Sequence, residues 1–347
     1  MDGSSFLVPI LKAVPAAIYY AVQKSRAEAY RAGLLQREKA PIAVISVGNL
    51  VLGGSGKTPF VIYLAEMMLR RGLKPAVVSR GYRGSNRAPY LVVSDGVSNG
   101  PLVDSSVSGD EPFLIASRLP SVPVLVGRRR IHPVTAAYRL FAIDTVILDD
   151  GFQHLALHRN ADIVLLSGAE DRMFPLGSLR EPLSALERAD VMVTTGSTAA
   201  LPAAASRYVG HAPIFCCPTV PVKVWRDGWQ REPKHYSGQD VVLLSGIARP
   251  QRFRATAESL GWRVVRHLTF PDHYRVTDEE LRAILRAAPQ TPIVVTEKDW
   301  VKLPAWAKEA GRMSALRIGM RMDEEELFWA TLEKLVWGRD RASATGA

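Results

Sequence analysis

Residues 47–60, VGNLVLGGSGKTPF, nearly match the phosphate-cradling pattern G-x-x-x-x-G-K-[ST]. Gly56, Lys57 and Thr58 supply its end, whereas Val51 stands where its first glycine belongs. Gly53, Gly54 and Gly56 free the backbone to turn its N–H groups toward an anion, and Lys57 adds a mobile positive charge. Thr58 brings a hydroxyl suited to a phosphate-bound Mg2+. With Leu52 and Ser55 these residues form a candidate nucleotide loop; a glycine-rich turn that happens to contain a lysine is the alternative.

Further along, TVILDDGFQH (residues 145–154) reads as an apolar strand ending in paired carboxylates, Asp149 and Asp150. Mg2+ keeps most of its waters and takes only one or two protein carboxylates. One Asp at such a strand tip can therefore hold the metal shell while the other binds metal or substrate. SGDEPF (residues 108–113) sets Asp110 at a helix start, either as a cap or as a base. FPDHYRVTDEEL (residues 270–281) carries His273, either a surface histidine or an acid–base group reaching across a cleft, and spacing does not decide. VVTEKDWVKL (residues 294–303) places Thr296, Glu297, Lys298 and Asp299 just past a strand, where open α/β sheets put ligand contacts. A helix start capped by Thr296 is the other reading.

The elements that must position these residues alternate in type. A β-branched strand over 41–50 runs straight into the glycine loop, and a helix over 58–71 leaves it and stops at Gly72. Further strands are expected at 75–79, 90–94, 122–126, 145–148 and 162–167. Continuous apolar strands separated by helices argue for a buried, mostly parallel sheet. Near Gly196 the composition turns poor in charge and rich in Ala, Pro and Ser, which marks a surface connection or domain edge. Two short strand-like pieces around Asp227-Gly228 then predict a hairpin. A second α/β unit follows, with strands at 241–245, 263–267 and 292–296 and helices at 250–260, 278–287 and 324–336, before a frayed tail. The expected division is an N-terminal amphipathic segment 1–35, a P-loop core 36–215 with helices on both faces of its sheet, a linker hairpin 216–237, and a smaller α/β domain 238–347.

Composition narrows the partners. With 347 residues the chain exceeds one ordinary core, and its net charge of +10 favours anionic partners. The basic residues are spread along the chain, clustering only at 128–130 and without stacking aromatics, which argues against nucleic acid. The two cysteines are adjacent (Cys216, Cys217), so no disulfide framework exists and a reducing cytosol fits. They read as small buried hydrophobes rather than a redox pair.

Residues 6–22, FLVPILKAVPAAIYYAV, are almost wholly apolar, but Lys12, Pro9 and Pro15 interrupt them and the stretch barely reaches a bilayer's span. A secretory signal is disfavoured because Lys24, Arg26 and Arg31 follow the apolar run instead of preceding it. What remains is a helix with Leu7, Ile10, Leu11, Val14 and Ile18 at helical spacing, either interfacial on anionic lipid or packed on the protein.

Taken together, SVGNLVLGGSGKTP, SRGYRG (79–84), GDEP (109–112), LDDGFQH (148–154), FPDHY (270–274) and TEKD (296–299) closely resemble the tetraacyldisaccharide 4'-kinases of lipid A biosynthesis. The order and spacing of these motifs cover nearly the whole chain. The resemblance implies a P-loop kinase that moves the γ-phosphate of ATP, with Mg2+, to the 4'-hydroxyl of a tetraacylated glucosamine disaccharide 1-phosphate, giving lipid IVA. Members of that family share the shifted glycines, which accounts for Val51. By this resemblance the 51–58 loop holds the ATP phosphates, Thr58 and Asp149 the metal, with Asp150 beside them in the same site. Asp110, assisted by His273, deprotonates or orients the sugar hydroxyl. Arg80, Arg128 and Arg180 stay open between phosphate contact and plain surface. The resemblance also places the N-terminal segment on the cytoplasmic face of the inner membrane as a peripheral anchor. A membrane-recruited ATPase switch and a kinase of a different lipid or sugar are the alternatives.

Overall fold

The computed structural model describes residues 4–168, 172–196 and 203–338, with side chains from residue 13 onward. The expected tail past Gly338, part of the connection after Gly196, and the side chains of Leu7, Ile10 and Leu11 lie outside the described residues. Helix α1 (Ser4–Arg31) leads into strand β1 (Ala43–Asn49), helix α2 (Lys57–Arg70), β2 (Pro75–Ser79) and β3 (Leu91–Asp95). Then come α3 (Ser105–Ser108), α4 (Asp110–Arg118), β4 (Pro123–Val126), α5 (Ile131–Leu140), β5 (Thr145–Asp149) and β6 (Ala161–Leu166). β7 (Val191–Thr194), α6 (Ala203–Ser206), β8 (Ile214–Cys216), β9 (Thr219–Arg226) and β10 (Trp229–Arg231) follow. The chain closes with β11 (Asp240–Ser245), α7 (Pro250–Ser259), β12 (Arg263–Thr269), α8 (Asp278–Ala287), β13 (Ile293–Thr296), α9 (Glu297–Trp300), α10 (Ala305–Glu309), β14 (Met313–Met320) and α11 (Glu325–Trp337).

The first sheet has eight strands in the order β3-β4-β2-β5-β1-β6-β7-β8, all parallel except the edge strand β3. Successive side chains of its central strands go to opposite faces, and both faces are covered. Ile45, Val47, Val77 and Ile147 pack with Phe60, Leu64 and Met67 of α2 and with Ile115 of α4. Val44, Ala76, Val78, Val146 and Leu148 pack on the other face against Val134 and Ala137 of α5. Cys217 sits in the first of these cores, where burial pushes its thiol up to about 12.

The second sheet has six strands in the order β10-β9-β14-β13-β11-β12. β11, β12, β13 and β14 are mutually parallel, while the β9–β10 hairpin joins antiparallel through β14, with Arg317 opposite Lys223. The hairpin, read from the sequence as a linker, is thus an edge of this sheet, and Cys216 just before it ends the first sheet. Helix α8 starts at a reciprocal cap, Thr277 accepting from the Glu280 N–H while the Glu280 carboxylate accepts from the Thr277 N–H.

Helix α11 leaves the second sheet and returns to the first. Phe328 meets Phe60 and Phe215 edge-on, and Trp329, Leu332 and Val336 join the same core. Glu325 then accepts from Arg70 and Arg71 and from the Tyr63 hydroxyl. A second brace is Glu297, almost fully buried, which takes Arg118 of α4 at 2.8 Å and Arg317 of β14 at 2.7 Å. These contacts hold the two sheets against each other so that residues from both reach one cleft.

Candidate active site

Strands β1 and β5 lie side by side with Val47 opposite Asp149, so the glycine loop and the paired aspartates leave the sheet together at its carboxyl end. Val51 is buried and bridges Leu179, and the Leu52 N–H donates to Ser178 O at 2.8 Å, which ties down the loop's first half. Gly53 and Gly56 take φ of 83° and 86°, a left-handed conformation that costs other residues. Gly54 needs no such angle. Gly56 is the N-cap of α2 and brings no capping side chain to the first-turn N–H groups. Those donors and the positive end of the helix dipole face the loop, and Thr58 sits half-buried in that first turn.

Asn49 organises the loop: its Nδ2 donates to Ser55 Oγ at 2.6 Å, and its Oδ1 accepts from Lys57 Nζ at 2.9 Å and from Arg180. Lys57 also lies 3.3 Å from Asp150 Oδ1, and Arg180 grips both Asp150 oxygens at 2.9 and 2.8 Å. Burial opposes ionisation of Asp150, but Lys57 and Arg180 outweigh it and hold the carboxyl far below its ordinary range. Asp150, at φ 56°, is thus an ionised carboxylate paired with both cations beside the loop.

Asp149 is the opposite case. Its Oδ2 accepts from Ser79 Oγ at 3.0 Å, its Oδ1 is buried without a partner, and the residue is 1 % exposed. Burial first, then the nearby Glu111 and Asp150, raise its pKa to about 7. Arg130 is buried beside this pair, its pKa lowered by burial to about 10 against the pull of Asp150 and Asp149.

Asp110 opens α4 directly after Gly109, whose φ is 94° and where a Cβ would stand 2.6 Å from Tyr82 O, so only glycine admits this turn. The carboxylate caps no helix; its Oδ2 lies 3.0 Å from His273 Nδ1, and its Oδ1 takes Arg275 at 3.4 Å. Burial works against its charge, yet His273, Lys302 and Arg275 prevail and lower its pKa. His273 comes from the second sheet's side on a loop with φ 65°, its ring edge against Tyr82 at 5.6 Å. Lys298 closes the cluster, 3.3 Å from Glu111 Oε1, 3.2 Å from Asp272 Oδ1 and 3.2 Å from His273 Nε2. A Cβ on Gly53 would stand 3.0 Å from Ala248, and the His273 N–H donates to Gly246 O at 3.2 Å, so the phosphate loop and the Asp110–His273 cluster border the same turn after β11.

Of the TEKD residues, only Lys298 enters the cluster. Thr296 caps α9 through the Asp299 N–H, and Asp299 pairs with Lys302 at 2.6 Å. Sequence reading passed over Asn49, Ser79, Glu111, Arg130 and Arg275, and left Arg180 open. Asn49, Ser79, Glu111 and Arg275 lie inside the quoted motifs and Arg130 and Arg180 outside them, and the partners that bring Ser79, Glu111, Arg180 and Arg275 into the site are 30 to 187 residues away. At the N-terminus, α1 rests on the body through Ala16, through Tyr19 edge-on to Phe174 at 5.9 Å, and through Arg26, which donates to Gln153 O at 3.2 Å. Val14, Ile18 and Val22 stay 66 %, 60 % and 55 % exposed. Among the described residues no helix is long and apolar enough to cross a membrane.

A glycine loop on a mostly parallel sheet, a strand-end carboxylate beside it and an Asp–His pair across the cleft define a P-loop nucleotide-binding protein equipped for phosphoryl transfer. Residues 8–336 match the family described as LpxK: Tetraacyldisaccharide-1-P 4'-kinase, and the chain belongs to that family. A tetraacyldisaccharide 4'-kinase of Desulfotalea psychrophila is 35 % identical over 329 residues, covering 90 % of this chain and 94 % of the relative. One from Anaeromyxobacter dehalogenans is 41 % identical over 322 residues, covering 87 % and 82 %. The crystal structure of "apo" form LpxK from Aquifex aeolicus in complex with ATP superposes with a TM-score of 0.77 at 30 % identity, covering 96 % of this chain and 99 % of that one.

Proposed function

We propose that this protein transfers the γ-phosphate of ATP to the 4'-hydroxyl of a tetraacyldisaccharide 1-phosphate, with Lys57 and the 51–58 loop on the phosphates and Asp110–His273 on the hydroxyl. The observation that carries the reading is the Asp–His pair held by both sheets opposite the loop, at 3.0 Å. A nucleotide switch needs no such pair, whereas an alcohol acceptor needs a proton-accepting group within hydrogen-bond reach.

The donor set fits a hard divalent cation. Asp149 Oδ1 is buried and unpartnered, and its charge is disfavoured until a positive group arrives. Asp149 and Thr58 would hold Mg2+, which when bound neutralises charge on the phosphate oxygens. Lys57, released from Asn49 and Asp150, follows the transferring phosphoryl group. Asp110 is held ionised and so is a weak proton acceptor; it keeps its charge against His273 Nδ1–H while Nε2 takes the hydroxyl proton. The acceptor oxygen bonds to the γ-phosphorus, the bond from that phosphorus to the bridging oxygen breaks, and ADP leaves.

The acyl chains of such an acceptor stay in a bilayer, so the enzyme must come to the surface. The exposed apolar side of α1, with Leu52 of the loop and Phe174 exposed nearby, supports peripheral docking on the cytoplasmic face of the inner membrane. ATP consumption is expected to depend on added tetraacyldisaccharide 1-phosphate in mixed micelles. Turnover unchanged by omitting the lipid would favour the switch instead.

A further inference from the structure

Lys298 reaches the cleft from α9 and places its single ammonium against three acceptors: Glu111 Oε1 at 3.3 Å, Asp272 Oδ1 at 3.2 Å and His273 Nε2 at 3.2 Å. An ammonium has three N–H donors and no acceptor. Its contact with Nε2 therefore requires a lone pair there, which puts the imidazole proton on Nδ1, facing Asp110 Oδ2 at 3.0 Å. Burial works against the charge on Lys298, but Glu111 and Asp272 outweigh it and raise its pKa, so the side chain stays protonated.

We infer that Lys298 is a positioning residue for phosphoryl transfer: it fixes His273 in the Nδ1–H tautomer, keeps Nε2 unprotonated, and yields that lone pair to the acceptor hydroxyl. This rests on the kinase reading above. When the hydroxyl arrives, Lys298 gives up one of its three contacts and keeps Asp272 and Glu111, so the charge stays anchored across the cleft. The hydroxyl proton moves to Nε2 as oxygen bonds to the γ-phosphorus and the ADP oxygen departs, and the resulting imidazolium is balanced by Asp110.

The charged groups around His273 set the sign of the test. Asp110 and Glu111 face it from α4, Asp272 and Arg275 from its own loop, Lys298 and Lys302 from α9 and the turn after it, and Arg83 binds the Asp272 carbonyl at 3.1 Å beside the Tyr82 ring. Removing Lys298 takes away the cation 3.2 Å from Nε2 and leaves the Asp272 carboxylate 3.7 Å from it, which favours a second proton on the ring at Nε2. A ring that already carries that proton cannot take another from the hydroxyl.

The test compares wild type, Lys298→Met and Lys298→Arg for transfer from ATP to micellar tetraacyldisaccharide 1-phosphate between pH 6 and 9. Lys298→Met is expected to lower kcat at pH 7 by about 10- to 100-fold, the scale of a misplaced catalytic group, with KM for ATP nearly unchanged. Its deficit is expected to shrink as pH rises, because the acid limb of the pH–rate profile moves upward, and Lys298→Arg is expected to restore most of the rate. A Lys298→Met enzyme with wild-type kcat, or a loss equal at every pH that arginine does not repair, would overturn the inference. Wild type failing to phosphorylate the lipid at all would instead remove the kinase reading beneath it.

Discussion

Replacing Asp149 with Asn separates what this carboxylate does for the fold from what it does for catalysis. Burial and the neighbouring Glu111 and Asp150 raise its pKa from 3.8 to about 7, so the folded protein holds a proton that the unfolded chain releases much earlier. The stability from that proton is fully present below the unfolded value and is lost as pH rises through about 7. At about 1.4 kcal/mol per tenfold change in proton affinity, the charged form costs the fold about 4 kcal/mol above pH 8. Asn removes that cost, and its amide oxygen can still accept from Ser79. Its NH2 group would occupy the place of Oδ1, which has no partner, at a cost of about 1–3 kcal/mol. The net expectation at pH 8 without metal or nucleotide is a gain of about 2 kcal/mol, or roughly 4 °C in Tm. At pH 5 the wild-type carboxyl is protonated, so the gain disappears and the variant becomes equal or slightly weaker. Thermal melts of both proteins in a chelator at the two pH values read this directly. A variant that is destabilised equally at pH 5 and pH 8 would refute the argument that Asp149 is a strained, cation-seeking carboxylate.

Other perturbations probe the remaining parts of the site. Lys57→Ala is expected to lower phosphoryl transfer by about two to three orders of magnitude, measured as initial rates with saturating ATP, while the melting temperature changes little. Asp110→Ala is expected to lower kcat by about 100-fold or more while leaving ATP affinity, read by calorimetry, within about twofold. Near-wild-type turnover would remove Asp110 from the mechanism. Deleting residues 1–22 takes away the exposed Val14, Ile18 and Val22 together with the Tyr19–Phe174 contact. It is expected to shift the protein from the membrane to the soluble fraction while circular dichroism loses only the helical signal of the deleted part of α1, and an unaltered membrane fraction would sink the anchor.

The parts of the site that could be read in advance are those made by neighbours in the chain. The phosphate loop was legible because strand, glycines, Lys57 and helix follow one another within residues 43–70, and backbone conformation alone gives the cradle its form. Asp149 was legible as a strand-end carboxylate, since β5 is a continuous apolar run. Strand β14 was not, because MSALRIGM shows neither alternation nor a β-branched run, and its place is set by pairing with β13 and β9. The amphipathic pattern of α11 announced a helix but could not say which sheet it would cover. Asp110 and His273 are 163 residues apart and Lys298 is 187 from Glu111, so only the docking of two sheets shows them as one cluster. Arg180 was obscure for the same reason, its partners Asn49 and Asp150 lying 131 and 30 residues away, whereas Asn49 bonds to Ser55 and Lys57 within the loop itself and was passed over because the glycine-loop pattern gives that position no role.

The central claim is tested most directly by incubating the full-length protein with γ-labelled ATP, Mg2+ and purified tetraacyldisaccharide 1-phosphate in micelles and locating the label on the product. The account predicts one labelled phosphate on the 4'-oxygen of the distal glucosamine, absent with Lys57→Ala. Label released only as inorganic phosphate, or placed on any other position, would contradict it.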